Sequence, residues 1–254
     1  MRDSAATAWK EIQGHFSMRV SAAIAWKEIQ GYFTTPMGYI VALVFVGMTG
    51  YFFGDSISGS LPEASVDGYI GVVAFILIFL APAMTMRLMA EEQKLGTVEL
   101  LLTAPVRDWE VVLGKFLASL TFLIGTLALT FYYVILLYVF GSPDSGPIWS
   151  AYLGLILYGA TALSIGLLAS SLTNNQMVAL VLGFGVLLTL YLLDQASTLV
   201  DGVGADILSQ MSSNAHLGDF SRGIIGTNHI VYYVTTTAVF LFLTVRSLES
   251  RRWR

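Results

Sequence analysis

Charged residues fall along this chain in narrow bands, and the stretches between them, 29–54, 68–86, 116–143, 145–193 and 223–245, contain no Asp, Glu, Lys or Arg. A helix needs roughly 20 apolar residues to cross a bilayer, so four of these stretches can each hold one crossing. The stretch 145–193 would make a helix of about 74 Å at ~1.5 Å per residue, too long for one passage through a ~30 Å core. It has to fold back, and the polar cluster SSLTNNQ at 170–176 is the place for the turn. The pattern predicts six helical spans, near 36–53, 69–86, 116–140, 150–171, 177–193 and 230–245.

Ahead of the first span the pattern changes period. On a helical wheel Ala22, Ala25, Trp26, Ile29, Tyr32 and Phe33 fall on one face, while Lys27, Glu28, Gln30 and Gly31 face away and Ile24 breaks the pattern. An amphipathic helix carrying Trp and Tyr, ending just before Thr35-Pro36, reads as an interfacial helix lying in the headgroup layer. The alternative is a cytoplasmic helix packed on protein; basic and aromatic residues right at the membrane entry favour the interface. This segment is also a duplicate: MRDSAATAWKEIQGHFS at 1–17 and MRVSAAIAWKEIQGYFT at 18–34 agree at thirteen of seventeen positions. Seventeen residues turn a helix about 260° beyond whole turns, so one continuous helix cannot align both apolar stripes. Met18 restarts the reading, and residues 1–17 are expected to be a duplication tolerated at an exposed terminus.

Composition turns the span pattern into a fold class. Hydrophobic residues make up 56% and charged residues 12% of the chain, with a mean hydropathy of +0.72, which excludes a soluble globular protein. The expectation is an all-α integral membrane protein: 1–17 a duplicated segment, 18–35 the amphipathic helix, and 36–254 a six-helix domain. That domain includes a loop at 87–115 and an outer segment at 196–228. The first thirty-odd residues are amphipathic and carry Lys10, Glu11, Lys27 and Glu28, unlike a signal peptide, so the N-terminus is expected to be retained. With no cysteine there is no disulfide and no thiolate chemistry.

Charge placement gives an orientation. Twelve of the thirteen basic residues lie before the first span, in the 87–115 loop or in the tail; the other three loops hold Arg222 alone, against Asp55, Glu63, Asp67, Asp144, Asp194, Asp201, Asp206 and Asp219. By the positive-inside rule both termini are expected in the cytoplasm.

The 87–115 loop, RLMAEEQKLGTVELLLTAPVRDWEVVLGK, carries the polar mass between spans. Glu91, Glu92 and Lys94 open a segment interrupted at Gly96-Thr97; Glu99-Leu100-Leu101 then makes a short apolar patch that Pro105 ends. A second helix starts at Asp108, which can cap it. Val98, Leu100 and Leu101 beside charges form a candidate docking surface, unless they pack on neighbouring helix ends. In the outer segment Ile207, Leu208, Met211, His216, Phe220 and Ile224-Ile225 suggest a short helical pair against the outer face. The spacing of Ala162, Gly166 and Ser170, with Gly159, Gly183 and Gly185, provides small-residue surfaces, open to packing either within the bundle or between two bundles.

Met86-Arg87, Glu91-Glu92, Gly96-Thr97, Glu99-Leu100-Leu101, Pro105 and Gly114-Lys115 together resemble the ABC-2 type transporter permease pattern, in particular the subgroup of gliding-motility and nitrous-oxide-reductase maturation permeases. His216, Phe220 and Gly223-Ile224-Ile225 before the last span, and Ser247 to Trp253 after it, resemble that subgroup's closing signature. The resemblance covers the chain from Met18 onward. It implies that the loop between spans two and three meets a separate ATPase subunit, with Glu91, Glu92, Gly96, Thr97, Glu99, Leu100 and Pro105 at that contact. It also implies that the N-terminal helix, with Trp26, Lys27, Ile29 and Phe33, is an elbow helix on the membrane, and that His216, Phe220 and Gly223 belong to the outer segment. Two departures stand out: the doubled N-terminus, and Asn228-His229 where subgroup members carry an acidic residue.

The chemistry missing from the sequence points the same way. No GxxxxGK[ST] phosphate loop occurs, and the spans contain none of the ionisable groups by which proton- or sodium-driven transporters work. Energy is expected from a partner ATPase, which would bind ATP and magnesium; this chain needs no cofactor. Ser164, Ser170 and Ser171 lie in or near a span, away from the expected depth of His216 and His229, so no serine-histidine pair is expected. His216 and Asp219 share a helical face, but two ligands do not make a metal centre. The expected protein is a permease subunit of the prokaryotic inner membrane. It is expected to move substrate outward as a homo- or heterodimer, surrounded by lipid and without nucleic acid. The alternative from another class is a non-transporting membrane anchor that recruits an ATPase to an envelope machine; a third, an ATPase-independent channel, is disfavoured by the lack of polar rings in the spans.

Overall fold

A computed structural model describes residues 20–58, 67–96, 106–140, 144–199 and 202–252. The described residues form helices and turns, with no strand among them. Helix α1 occupies 20–34 and is followed by α2 (Pro36–Ser58), α3 (Asp67–Leu95), α4 (Asp108–Leu129), α5 (Phe131–Phe140), α6 (Ser145–Leu172), α7 (Gln176–Ser197), α8 (Val203–Met211), α9 (Ser213–Ser221) and α10 (Thr227–Arg252).

Six helical segments are long and apolar enough to cross a membrane: Pro36–Gly54, Tyr69–Leu95, Asp108–Val139, Ser145–Leu172, Gln176–Ser197 and Thr227–Ser250. They coincide with the six predicted spans, and the fold-back of the long stretch falls at Thr173–Asn175. There the Asn175 side chain accepts from the Met177 N–H and caps α7. The third span is not one smooth helix: it breaks at Thr130, whose hydroxyl donates to the Leu127 carbonyl at 2.6 Å and bonds the Tyr152 hydroxyl at 2.9 Å. Hydropathy cannot show such a break, because every residue around it is apolar.

Helices α3 and α6 are the most enclosed spans and form the centre, with α2, α4, α7 and α10 around them. Their contact is set by small residues. A Cβ on Gly166 would run into the Thr85 hydroxyl and the Pro82 backbone, and one on Gly183 of α7 would meet the Pro82 ring and the Gly166 Cα. Ala162 and Ser170 are fully enclosed on the same stripe, so the small-residue surface of α6 is spent on packing within the bundle. Ser170 also staples α3 to α6: its hydroxyl donates to the Met86 carbonyl at 2.8 Å and accepts the Met89 and Ala90 N–H groups at 3.1 and 3.0 Å.

The chain order makes two ends. The basic end carries α1, the close of α3, the start of α4, the α6–α7 turn and the close of α10. The distal end carries the α5–α6 junction, α8, α9 and the start of α10.

Candidate coupling site

Helix α1 presents three sides: one buried on the bundle, one exposed and apolar, one exposed and polar. Ser21, Ala25 and Tyr32 are buried, with Ile24 and Glu28 partly so, on the side facing the bundle; Trp26 and Phe33 are 63% and 57% exposed; Lys27, Gln30 and Thr34 form a polar edge. At 100° per residue the buried set centres about 100° to one side of the Ala22–Trp26–Ile29–Phe33 stripe, and the polar set about 110° to the other. The two-faced reading is corrected by this. Ile24, which broke the pattern, packs where Gly114 leaves room, since a Cβ at Gly114 would strike the Ile24 side chain and the Ser21 carbonyl. Glu28, read as facing away, points into the protein.

What Glu28 meets there is Lys115, whose side chain is 1% exposed. Its Nζ donates to Glu28 Oε1 at 2.7 Å and to Glu92 Oε1 at 2.8 Å. One ammonium therefore ties α1, the last turns of α3 and the first turns of α4, the two helices that flank the 97–105 loop. Taking an ammonium out of water is costly unless it is paired and hydrogen-bonded, and two carboxylates on one Nζ meet that requirement. Around the knot, Arg87 pairs with Glu91 at 3.3 Å, and Gln93 Nε2 donates to the Ser171 carbonyl at 2.9 Å. Tyr32 donates to the Met84 carbonyl at 2.8 Å and stacks on Phe122 with ring centroids 4.5 Å apart. Burial, reinforced by the nearby Glu28 charge, pushes the Tyr32 phenol well up, so it stays a donor. A cavity of about 30 Å³ lined by Glu28, Gly31, Tyr32, Arg87 and Leu88 adjoins these contacts.

Helix α4 starts at Asp108 as read, but Asp108 is its first residue and not its cap. Arg107 holds the cap position, and its N–H is satisfied by Glu110 Oε2 at 3.2 Å, the returning half of a capping box. Of the residues assigned to the ATPase contact, Glu91, Glu92 and Gly96 are described. Gly96 is exposed with φ of 69°, closing α3 in the left-handed conformation that glycine adopts without strain. Thr97, Glu99, Leu100 and Pro105 lie outside the described residues, as do residues 1–17. Lys115 itself was the residue that sequence reasoning missed. It appeared only as part of the Gly114-Lys115 motif, although a lysine at a span boundary with carboxylates on both neighbouring segments was a usable signal.

At the distal end, α8 and α9 form the anticipated short pair. Phe220 is fully buried, its ring lies where Gly154 has no side chain, and its carbonyl accepts from Ser150 at 2.5 Å. Gly223 has φ of 86° and ends α9 in a Schellman turn, with Ile224 N–H to the Asp219 carbonyl at 3.0 Å and Gly223 N–H to the Phe220 carbonyl at 3.2 Å. His216 contacts His229 of α10. The Phe220 and Gly223 positions thus have structural reasons: one anchors α9 on α6, the other turns the chain back into α10.

The pattern of the ABC-2 type transporter family matches residues 20–201. The probable multidrug ABC transporter permease YbhR of Escherichia coli (strain K12) is 27% identical over 116 residues, covering 46% of this chain and 30% of that protein; the protein of the same name from E. coli O157:H7 matches to the same extent. The matched stretch spans less than a third of those relatives. The family match reaches from α1 through the knot and all but the last of the spans, and on it this chain belongs to the ABC-2 type transporter family.

Proposed function

We propose that this chain is the membrane-spanning subunit of an ATP-driven exporter of the prokaryotic inner membrane, with both termini cytoplasmic. It works as a dimer, with itself or a related permease, and with separate ATPase subunits that bind ATP and magnesium. The observation that carries the reading is Lys115. A force applied to the 97–105 loop enters α3 and α4 together, and because Glu28 and Glu92 share one buried ammonium, α1 is drawn along with them. Because α3 is stapled to α6 through Ser170, the three elements pass that motion to the bundle as a whole, the requirement for rigid-body alternating access. The relatives are named as probable multidrug ABC transporter permeases, a name compatible with this reading, and the apolar spans suit an amphipathic cargo.

The test is co-purification from native membranes, with and without Glu99→Arg plus Leu100→Asp in the loop. The reading expects a nucleotide-binding ATPase to accompany the unaltered chain and to be lost from the variant. Mild extraction that brings no ATPase with the unaltered chain contradicts it.

A further inference from the structure

The distal end holds a second cluster that the transport reading leaves unused. His216 of α9 and His229 of α10 meet Nδ1 to Nδ1 at 2.7 Å. On their far sides, His216 Nε2 faces the Gln210 carbonyl at 3.0 Å and His229 Nε2 faces Asp219 Oδ2 at 2.8 Å. A carbonyl oxygen and a carboxylate only accept, so both Nε2 atoms must carry a proton. The Nδ1···Nδ1 contact needs one more, since two lone pairs, or two N–H groups, at that distance repel. Three protons on two rings make one imidazolium, and Asp219 sits beside His229 to balance it. The ring assignments follow: His229 is doubly protonated and donates from Nδ1, and His216 is neutral, protonated on Nε2, and accepts.

We propose that His216, His229 and Asp219 form a proton-binding clasp that fastens the α8–α9 cap to the head of the last span when it holds three protons, and loosens when it gains or loses one. The surroundings fit a clasp confined to a few groups. His216 stacks on Tyr232 with centroids 4.0 Å apart, and Tyr233 lies 6.3 Å away. The Asn228 amide stands 3.5 Å from His229 Nε2, farther than the Asp219 carboxylate. Of the other charged groups at this end, Asp194 of α7 is held by Asn214 at 3.0 Å, and Arg222 caps the end of α9. The Tyr232 and Tyr233 hydroxyls bond the Met211 and Ser213 carbonyls, both at 2.7 Å, so they pin the α8–α9 junction, whereas the histidines pin the stretch from His216 to Asp219. Among the described residues no group of three His, Asp or Glu side chains is arranged to hold a metal ion, which agrees with two Nδ1 atoms turned on each other.

Burial lowers the His216 pKa, opposed by the Gln210 carbonyl and helped by the nearby His229. A lowered histidine value means that the clasped form prefers neutral His216. The clasp is lost as pH falls through that lowered value, below the ordinary ~6.5, when His216 takes up a proton on the nitrogen that accepts from His229.

The chain has three histidines, so a His15→Gln background leaves only this pair for ¹⁵N-histidine NMR of the full chain in lipid nanodiscs. At neutral pH one ring should be protonated on both nitrogens and the other on Nε2 alone, with a coupling across the Nδ1–H···Nδ1 bond. Acidification should protonate the second ring, abolish the coupling and free a spin label on Gly218→Cys, an exposed position where an added Cβ meets nothing. Asp219→Asn should remove the third proton at neutral pH. His216→Phe, which keeps a ring on Tyr232, should leave the label's mobility independent of pH. Two neutral rings at neutral pH, or a label whose pH response is the same in His216→Phe, overturns the proposal. Neither result depends on an ATPase or a substrate, so the clasp and the transport reading stand or fall separately.

Discussion

At the basic end one ammonium is enclosed between two carboxylates, and at the distal end two half-enclosed imidazoles share a proton. The first joins helices far apart in sequence, through residues 28, 92 and 115; the second joins two consecutive helices, through 216, 219 and 229. The first bond is made between opposite charges inside the protein, where removing one partner leaves an uncompensated buried charge. The second exists only for one proton count. The end where we place the ATPases is therefore built to transmit force without yielding, while the opposite end is built to yield to its surroundings.

The largest effect that separates the ends is expected from Lys115→Met. It leaves Glu28 and Glu92 facing each other without their cation, and should cost about 3–5 kcal/mol, read as a lowered unfolding midpoint in detergent. Adding Glu28→Gln and Glu92→Gln should recover part of that loss, whereas the same pair of changes in the unaltered chain should be destabilising. Next, Gly166→Val drives a branched side chain into Thr85 and Pro82 and should cost about 1–3 kcal/mol by separating α3 from α6, with neither end directly touched. Ser170→Ala strips the Met89 and Ala90 N–H groups of their hydroxyl partner, about 1–3 kcal/mol. Its mark should be faster amide exchange confined to 86–90. Smallest in stability is Trp26→Ala with Phe33→Ala. Both side chains are largely exposed, so unfolding should shift by less than about 0.5 kcal/mol, while binding of an isolated 18–35 peptide to lipid vesicles should fall.

How much of this was legible in the sequence follows the same division. Spans were readable because the absence of charge over roughly 20 residues has one physical explanation, and the fold-back at 173–175 because length forbade anything else. The α8–α9 pair could be anticipated from apolar residues at helical spacing, although Ile207, Met211, Ile224 and Ile225 stay exposed while Leu217 and Phe220 are buried. Small residues marked a close contact but not its partner. Gly166 finds Pro82 and Thr85 of the same chain, which spacing alone could not decide. Periodicity failed at α1 because a helical wheel was split into two faces, and this helix has three sides, one of them buried on the bundle. Glu28 looked like a water-facing charge, and only the fold brings Lys115 to it across 87 positions. The histidine pair was hidden for a related reason: only the turn at Gly223, which folds α9 back beside α10, brings His229 to His216.

We place the coupling in the Lys115 knot, which would carry the loop's motion to the spans. The direct test is substrate-stimulated ATP hydrolysis by the purified permease–ATPase complex in nanodiscs, comparing the unaltered chain with Lys115→Met carrying Glu28→Gln and Glu92→Gln. The account predicts that the ATPase remains bound and hydrolyses ATP at its basal rate, and that substrate no longer raises that rate. Full stimulation in the triple variant contradicts the claim and leaves the buried lysine as a fastening with no part in coupling.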